Sequence, residues 1–160
     1  MDPNNSVSGR APTCDPSEIE LSGRELIAQF KGIEEAWKKA EALLALSHVP
    51  TEVRILVRSW SENGDTPHGD ERTYLAYCRV KNQWRICVTT ETDWLPGQPE
   101  DDTTLVDTKP VVECPVDVRL EMFDWFDKLY QEVVKTAEEY VPKIIKAVNR
   151  FEKVLASLEK

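Results

Sequence analysis

Apolar residues recur with a helical period near the start of this chain, with a strand period in its middle, and with a helical period again over its last quarter. Leu26, Phe30, Ile33, Trp37, Ala40 and Leu44 follow one another at alternating spacings of three and four, which places them on one stripe of a helix. Ile27, Leu43 and Leu46 widen that stripe. Ser22 and Glu25 have the spacing of a capping box, and Ser17 and Glu20 offer the same start one turn earlier. Gly32 sits inside and weakens the helix by about 1 kcal/mol relative to alanine. His48-Val49-Pro50 ends it, because the residue before a proline avoids helical backbone.

Three strands are expected next. Val53, Ile55 and Val57 alternate with Arg54, Leu56 and Arg58, a period of two. Glu62-Asn63-Gly64-Asp65 supplies a turn. The second strand runs from about Thr73 to Val80 and the third from about Trp84 to Thr90. A loop of three residues, Lys81-Asn82-Gln83, sets Val80 opposite Trp84, Cys78 opposite Ile86 and Ala76 opposite Val88, and so makes one apolar face. The other face then holds Tyr77, Arg79 and Arg85 beside Arg54, Leu56, Arg58 and Trp60. In that register Arg79 and Arg85 oppose each other, an unfavourable pairing that an anion relieves.

The final helix is expected from about Val116 to Ser157. Phe123, Phe126, Tyr130, Val133, Val134, Ala137, Tyr140, Val141, Ile144, Val148, Phe151 and Leu155 fall on one side, and charged residues on the other. Pro115 opens or precedes it. Pro142 lies on the polar side, where a proline bends a helix. At 1.5 Å per residue some 42 residues span about 63 Å, whereas a compact chain of this length has a radius of gyration near 15 Å. The helix therefore has to bend sharply, break near Pro142, or run past the domain. The fold expected is α+β: an N-terminal helix, a three-stranded antiparallel sheet, and a long C-terminal helix packed on that sheet. Residues 1–16, rich in Pro, Asn, Ser and Gly, read as a flexible tail, and 17–160 as one domain.

Composition changes this picture in two places. The chain has 160 residues and a formal charge of −9. Residues 91–119 hold eight of the carboxylates against only Lys109 and Arg119, together with Pro96, Gly97, Pro99 and Pro110. Residues 91–115 are expected to form an acidic loop, since prolines and glycine interrupt regular structure. The acid excess argues against general nucleic-acid binding, which draws its affinity from cations on phosphates. The four cysteines, Cys14, Cys78, Cys87 and Cys114, show none of the close pairing of a structural zinc site. Met1-Asp2-Pro3-Asn4-Asn5 has no charged or apolar leader region, and no apolar run is long enough to span a membrane. A cytoplasmic protein with reduced thiols and no membrane partner is the expectation.

Candidate chemistry is sparse. Asp65-Thr66-Pro67-His68-Gly69-Asp70-Glu71 gathers a histidine with carboxylates, yet reads first as a polar hairpin tip. No phosphate loop, nucleophile elbow or zinc-protease motif occurs. No catalytic residue, cofactor or metal is assigned, and the chain is read as a non-enzyme. Two surfaces remain. One is the sheet face of Arg54, Arg58, Trp60, Tyr77, Arg79 and Arg85, suited to a protein partner, a phosphorylated ligand or single-stranded nucleic acid, or else neutralised by Glu100, Asp101 and Asp102. The other is the long helix, with Met122, Trp125, Leu129, Tyr140, Ile144, Val148, Phe151 and Leu155 as its association stripe. The function expected is that of an interaction protein, acting as an adaptor, inhibitor or chaperone-like cofactor. It binds another protein as a homodimer, with nucleic-acid binding as the alternative.

Overall fold

A computed structural model describes residues 16–60, 70–93 and 104–158. The element order is α1 (Pro16–Ala45), β1 (Val53–Trp60), β2 (Glu71–Val80), β3 (Gln83–Thr92), β4 (Leu105–Pro110), a short 3-10 turn (Val111–Glu113) and α2 (Val116–Leu158). The architecture is α+β, and its sheet has four strands where three were expected. Two compact units meet inside α1, between Gly32 and Ile33.

In the first unit, the opening half of α1 begins at Pro16, ahead of both expected caps; a first helical position tolerates proline. Ile19, Leu21, Leu26, Ile27 and Phe30 are exposed there.

The second unit holds the rest of α1, the sheet and α2. α1 ends at Ala45, and the chain leaves through His48 in the left-handed region (φ 50°), which histidine enters more readily than most side chains. The strands run in the order β1-β2-β3-β4, each antiparallel to its neighbour. A core of Trp37, Leu44, Val53, Val57, Leu75, Tyr77, Ile86, Val111, Met122, Leu129 and Val133 joins one sheet face to the two helices. Trp37 is fully buried at its centre. Its ring stacks on Phe123 at 4.8 Å, meets Phe126 edge-on at 6.1 Å, and its Nε1–H donates to the Arg119 carbonyl at 3.2 Å. The indole thus pins α1 to the first turns of α2 while satisfying its own buried N–H.

The β2–β3 connection corrects the expected register. Val80 pairs with Gln83, so the loop is the two residues Lys81 and Asn82, not three. Both have positive φ, 48° and 67°, as the turn whose twist matches that of paired strands requires. Every pairing shifts by one: Tyr77 faces Ile86, Leu75 faces Val88, and Arg79 faces Trp84 rather than Arg85. The core side carries Leu75, Tyr77 and Ile86, and the outer side carries Ala76, Cys78 and Cys87. A three-residue loop would collect the apolar residues on one face. The actual sheet distributes them to both, large ones inward and small ones outward.

β1 is interrupted by a bulge between Leu56 and Arg58. The extra residue, Val57, is buried in the core, and such a bulge also makes this free edge a poor template for further strands. β4 pairs Leu105–Pro110 with Thr92–Cys87, inside the stretch expected to be loop. β3 itself extends to Thr92. Residues 94–103, with Glu100, Asp101 and Asp102, lie outside the described residues.

α2 is one unbroken helix across Pro142, so of the three alternatives a break is the one the structure does not take. A proline removes one backbone hydrogen bond, and the ladder resumes beyond it. Met122, Leu129 and Val133 are fully buried, whereas all residues from 141 to 158 are exposed.

The turn makes a direct prediction. Lys81 is a side chain poorly suited to left-handed backbone, so the double substitution Lys81→Asn with Asn82→Gly should stabilise the protein by about 1 kcal/mol. The check is the urea midpoint at constant slope; an unchanged or lower midpoint contradicts the two-residue turn.

Candidate association surface and the arginines of the sheet

The expected arginine and aromatic platform does not assemble. Its six members are spread over the outer face, the core and the rim. Arg54 points from β1 onto the outer face, opposite Ala76. Its guanidinium lies 4.6 Å from the centroid of Tyr74 and is hydrogen-bonded to Glu91, which holds its pKa above the usual arginine value. Arg72, which the sequence reading passed over, sits beside it, bound to Asp93 and 3.9 Å from Glu91. Thr104 Oγ1 steadies the same Asp93 carboxylate at 2.8 Å. Two arginines and two carboxylates thus close on one another across β1, β2 and the end of β3.

Arg58 lies beyond the bulge and reaches α2 instead, donating to both oxygens of Glu121 at 3.1 and 3.2 Å. Arg85 binds Glu41 of α1 at 2.5 Å. The second oxygen of Glu41 accepts the Ile86 backbone N–H at 3.4 Å. This follows from topology: β4 pairs with β3 only as far as Cys87, so Ile86 faces an open edge that Glu41 covers. Tyr77 belongs to the core, stacked on Trp84 at 5.3 Å, and burial pushes its phenol pKa up, with Glu41 adding to the effect. Arg79 and Trp60 are exposed at opposite ends of the sheet. Three of the four arginines expected to await an anion, Arg54, Arg58 and Arg85, are already engaged with carboxylates. Alternation alone identified the residue type but not these partners, because Glu41, Glu91 and Glu121 sit on three different elements.

Cys78 and Cys87 are buried neighbours on the outer face, and Cys114 is buried near the start of α2; all three thiols are free. The hydrogen bond between the first two raises the pKa of Cys87 and lowers that of Cys78, while burial raises that of Cys114. Among the described residues no cluster of three or more His, Cys, Asp or Glu is placed to hold a metal ion. The His68 loop lies outside the described residues except for Asp70 and Glu71.

The expected association stripe divides in two. Met122 and Leu129 are fully buried and belong to the domain's own core, with Trp125 packed partly against it. The corrected position has a simple reason: the sheet is as wide as four strands, and it covers the first half of α2. Tyr140 is half-buried under the ammonium of Lys143. Ile144, Val148, Phe151 and Leu155 are 44–63% exposed, and Val141, Ile145, Val154 and Leu158 extend the same surface. Spacings of three and four from Val141 through Ile144, Val148, Phe151 and Leu155 to Leu158 place these six at the two inward positions of a heptad. Ile145 and Val154 flank them, so the apolar arc is about 200° wide.

Comparison with protein-family models, with curated proteins and with solved structures returned no match for this chain.

The buried acids fix a pH response. Cys114 and Tyr77 have pKa values raised by burial above the ordinary 9.0 and 10.0. Below pH 9 their contribution to stability is present in full. As pH rises past those values, the unfolded chain releases protons that the folded chain retains, and stability falls. The denaturation midpoint is therefore expected to hold up to about pH 9, to drop from there to about pH 10.5, and to drop less in Cys114→Ala. An equal drop in that variant contradicts the assignment to this thiol.

Proposed function

We propose that this protein is a non-enzymatic interaction module that associates with a second copy of itself through the distal half of α2. It then presents the paired domains to another protein, as an adaptor, inhibitor or chaperone-like cofactor does. The observation that carries the reading is the uncovered stripe of Val141, Ile144, Val148, Phe151, Leu155 and Leu158. Contiguous exposed apolar surface of this kind marks an association site. These six side chains, about half-exposed, hold on the order of 6 kcal/mol per helix. Two helices together match the roughly 4–15 kcal/mol lost when two molecules become one.

A second copy is the natural occupant, because one stripe against its own image makes a closed, self-complementary contact. Among the described residues, Arg54, Arg58 and Arg85 are held by carboxylates and the thiols of Cys78, Cys87 and Cys114 are buried. The same pairing of Arg54, Arg58, Arg72 and Arg85 with carboxylates removes the reason for a nucleic-acid face. Free buried thiols suit a cytoplasmic setting, where cysteines stay reduced. Among the described residues no helix is long and apolar enough to cross a membrane.

Light scattering on the full chain at micromolar concentration is expected to give twice the 18.3 kDa of one copy. Ile144→Glu with Val148→Glu is expected to return 18.3 kDa with an unchanged far-UV spectrum. A parent chain at 18.3 kDa throughout the micromolar range overturns the reading.

A further inference from the structure

The far side of distal α2 is as unusual as its apolar side. From Val141 to Leu158 the helix carries Lys143, Lys146, Arg150 and Lys153 against a single acid, Glu152, in a chain of net charge −9. At 100° per residue the four cations fall within about 80° of one another, and the centre of that arc lies roughly opposite the centre of the apolar one. Spacings of three, four and three lay them in a row about 15 Å long. All four are exposed, and none of them forms a salt bridge with a described residue; Lys143 alone has a contact, over the Tyr140 ring at 5.0 Å. The sheet behaves oppositely, since Arg54, Arg58, Arg72 and Arg85 are each held by a carboxylate.

We propose that this row is a docking surface for an acidic protein segment, one carrying carboxylates at helical spacing. The proposal rests on the self-association above. With Val141, Ile144, Val148 and Phe151 at the inward heptad positions, Lys143 and Arg150, and Lys146 and Lys153, occupy positions that stay in water when two helices pair. Pairing hides the apolar arc and leaves the cations outward. Charge decides the class of partner. The row is short, and the rest of the chain is acidic, so a long polyanion is repelled beyond the row while a short acidic segment meets only local attraction. The paired sheet arginines offer no continuation of the basic surface for a nucleic-acid backbone to follow.

The test uses the full chain and a fluorescein-labelled twelve-residue peptide with glutamate at every third and fourth position, alongside its glutamine counterpart, a single-stranded oligonucleotide and phosphatidylserine vesicles. The glutamate peptide is expected to bind, and to weaken about tenfold from 50 to 300 mM salt. The combined variant Lys143→Gln, Lys146→Gln, Arg150→Gln and Lys153→Gln is expected to weaken it at least tenfold, while its light-scattering mass and far-UV spectrum stay those of the parent. No binding of the glutamate peptide overturns the proposal. So does binding that survives the four substitutions, or tighter binding of the oligonucleotide or the vesicles through the same four residues. A parent chain that weighs as a monomer yet binds the peptide through the row overturns self-association and leaves the docking surface standing.

Discussion

A helix of 43 residues is about 64 Å long, whereas a strand of ten residues reaches only about 33 Å. No arrangement of this sheet could cover all of α2, and most of the structure's distinctive features follow from that mismatch. The sheet and the second half of α1 take the turns around Met122, Leu129 and Val133, where the helix becomes part of an ordinary core. Beyond Ala137 the same helix keeps an apolar stripe without a cover. Helix propensity does not require leucine, isoleucine and phenylalanine there, since exposed turns form equally well from lysine, glutamate and alanine. The apolar character of the distal half is therefore unexplained by the folding of one copy.

The sheet solves its own problem of one-sidedness by size. Helices cover one face only, and the other is filled with residues small enough to be shielded by their neighbours. Ala76, Cys78, Cys87 and Thr89 are all buried on that side, flanked by the longer Arg54, Tyr74 and Arg72. The flanking arginines are neutralised where they stand, by Glu91 and Asp93. Two of the eight carboxylates in residues 91–119, Glu91 and Asp93, are thus internal compensation for cations laid on this sheet face. Such pairs contribute little stability each when solvent reaches them. Their larger effect is to leave that face without free positive charge.

Those same pairs show where sequence periodicity stops being informative. Both helices were legible because their apolar residues keep phase over many turns, and β1 to β3 because a period of two is hard to imitate by chance. β4 was not: it has six residues, ends in Pro110, mixes Leu105 and Val106 with Asp107 and Lys109, and sits in the most acidic part of the chain. Its identity comes from the free edge of β3, which no local pattern records. The turn at Lys81-Asn82 was misread for a related reason. Both loop lengths are locally acceptable, and the choice belongs to packing against Trp37 and Met122, more than 30 residues away in each direction. Once the register slips by one, Tyr77 moves from a surface to the core and Arg79 loses Arg85 as its partner, so the candidate site failed with the register. The exposure of the distal stripe does not depend on that register, because it belongs to one helix alone.

That independence also bears on how the two faces of distal α2 came to be so different. If the apolar side were merely tolerated exposure, its opposite face would need no particular charge, and the mixed signs seen on the proximal half, such as Lys135 beside Glu132, would serve as well. Instead the polar side turns uniformly cationic where the apolar side loses its cover, and the only acid, Glu152, lies at the apolar edge. Concentrated like charge lowers helix stability slightly, and uncovered apolar surface lowers solubility. A segment carrying both is at a disadvantage on its own. The disadvantage is removed when each face has something to meet: an apolar face its own image, and a cationic face an acidic one. On the proposed reading, the 64 Å helix that its own sheet cannot cover is the element through which the protein would reach other molecules.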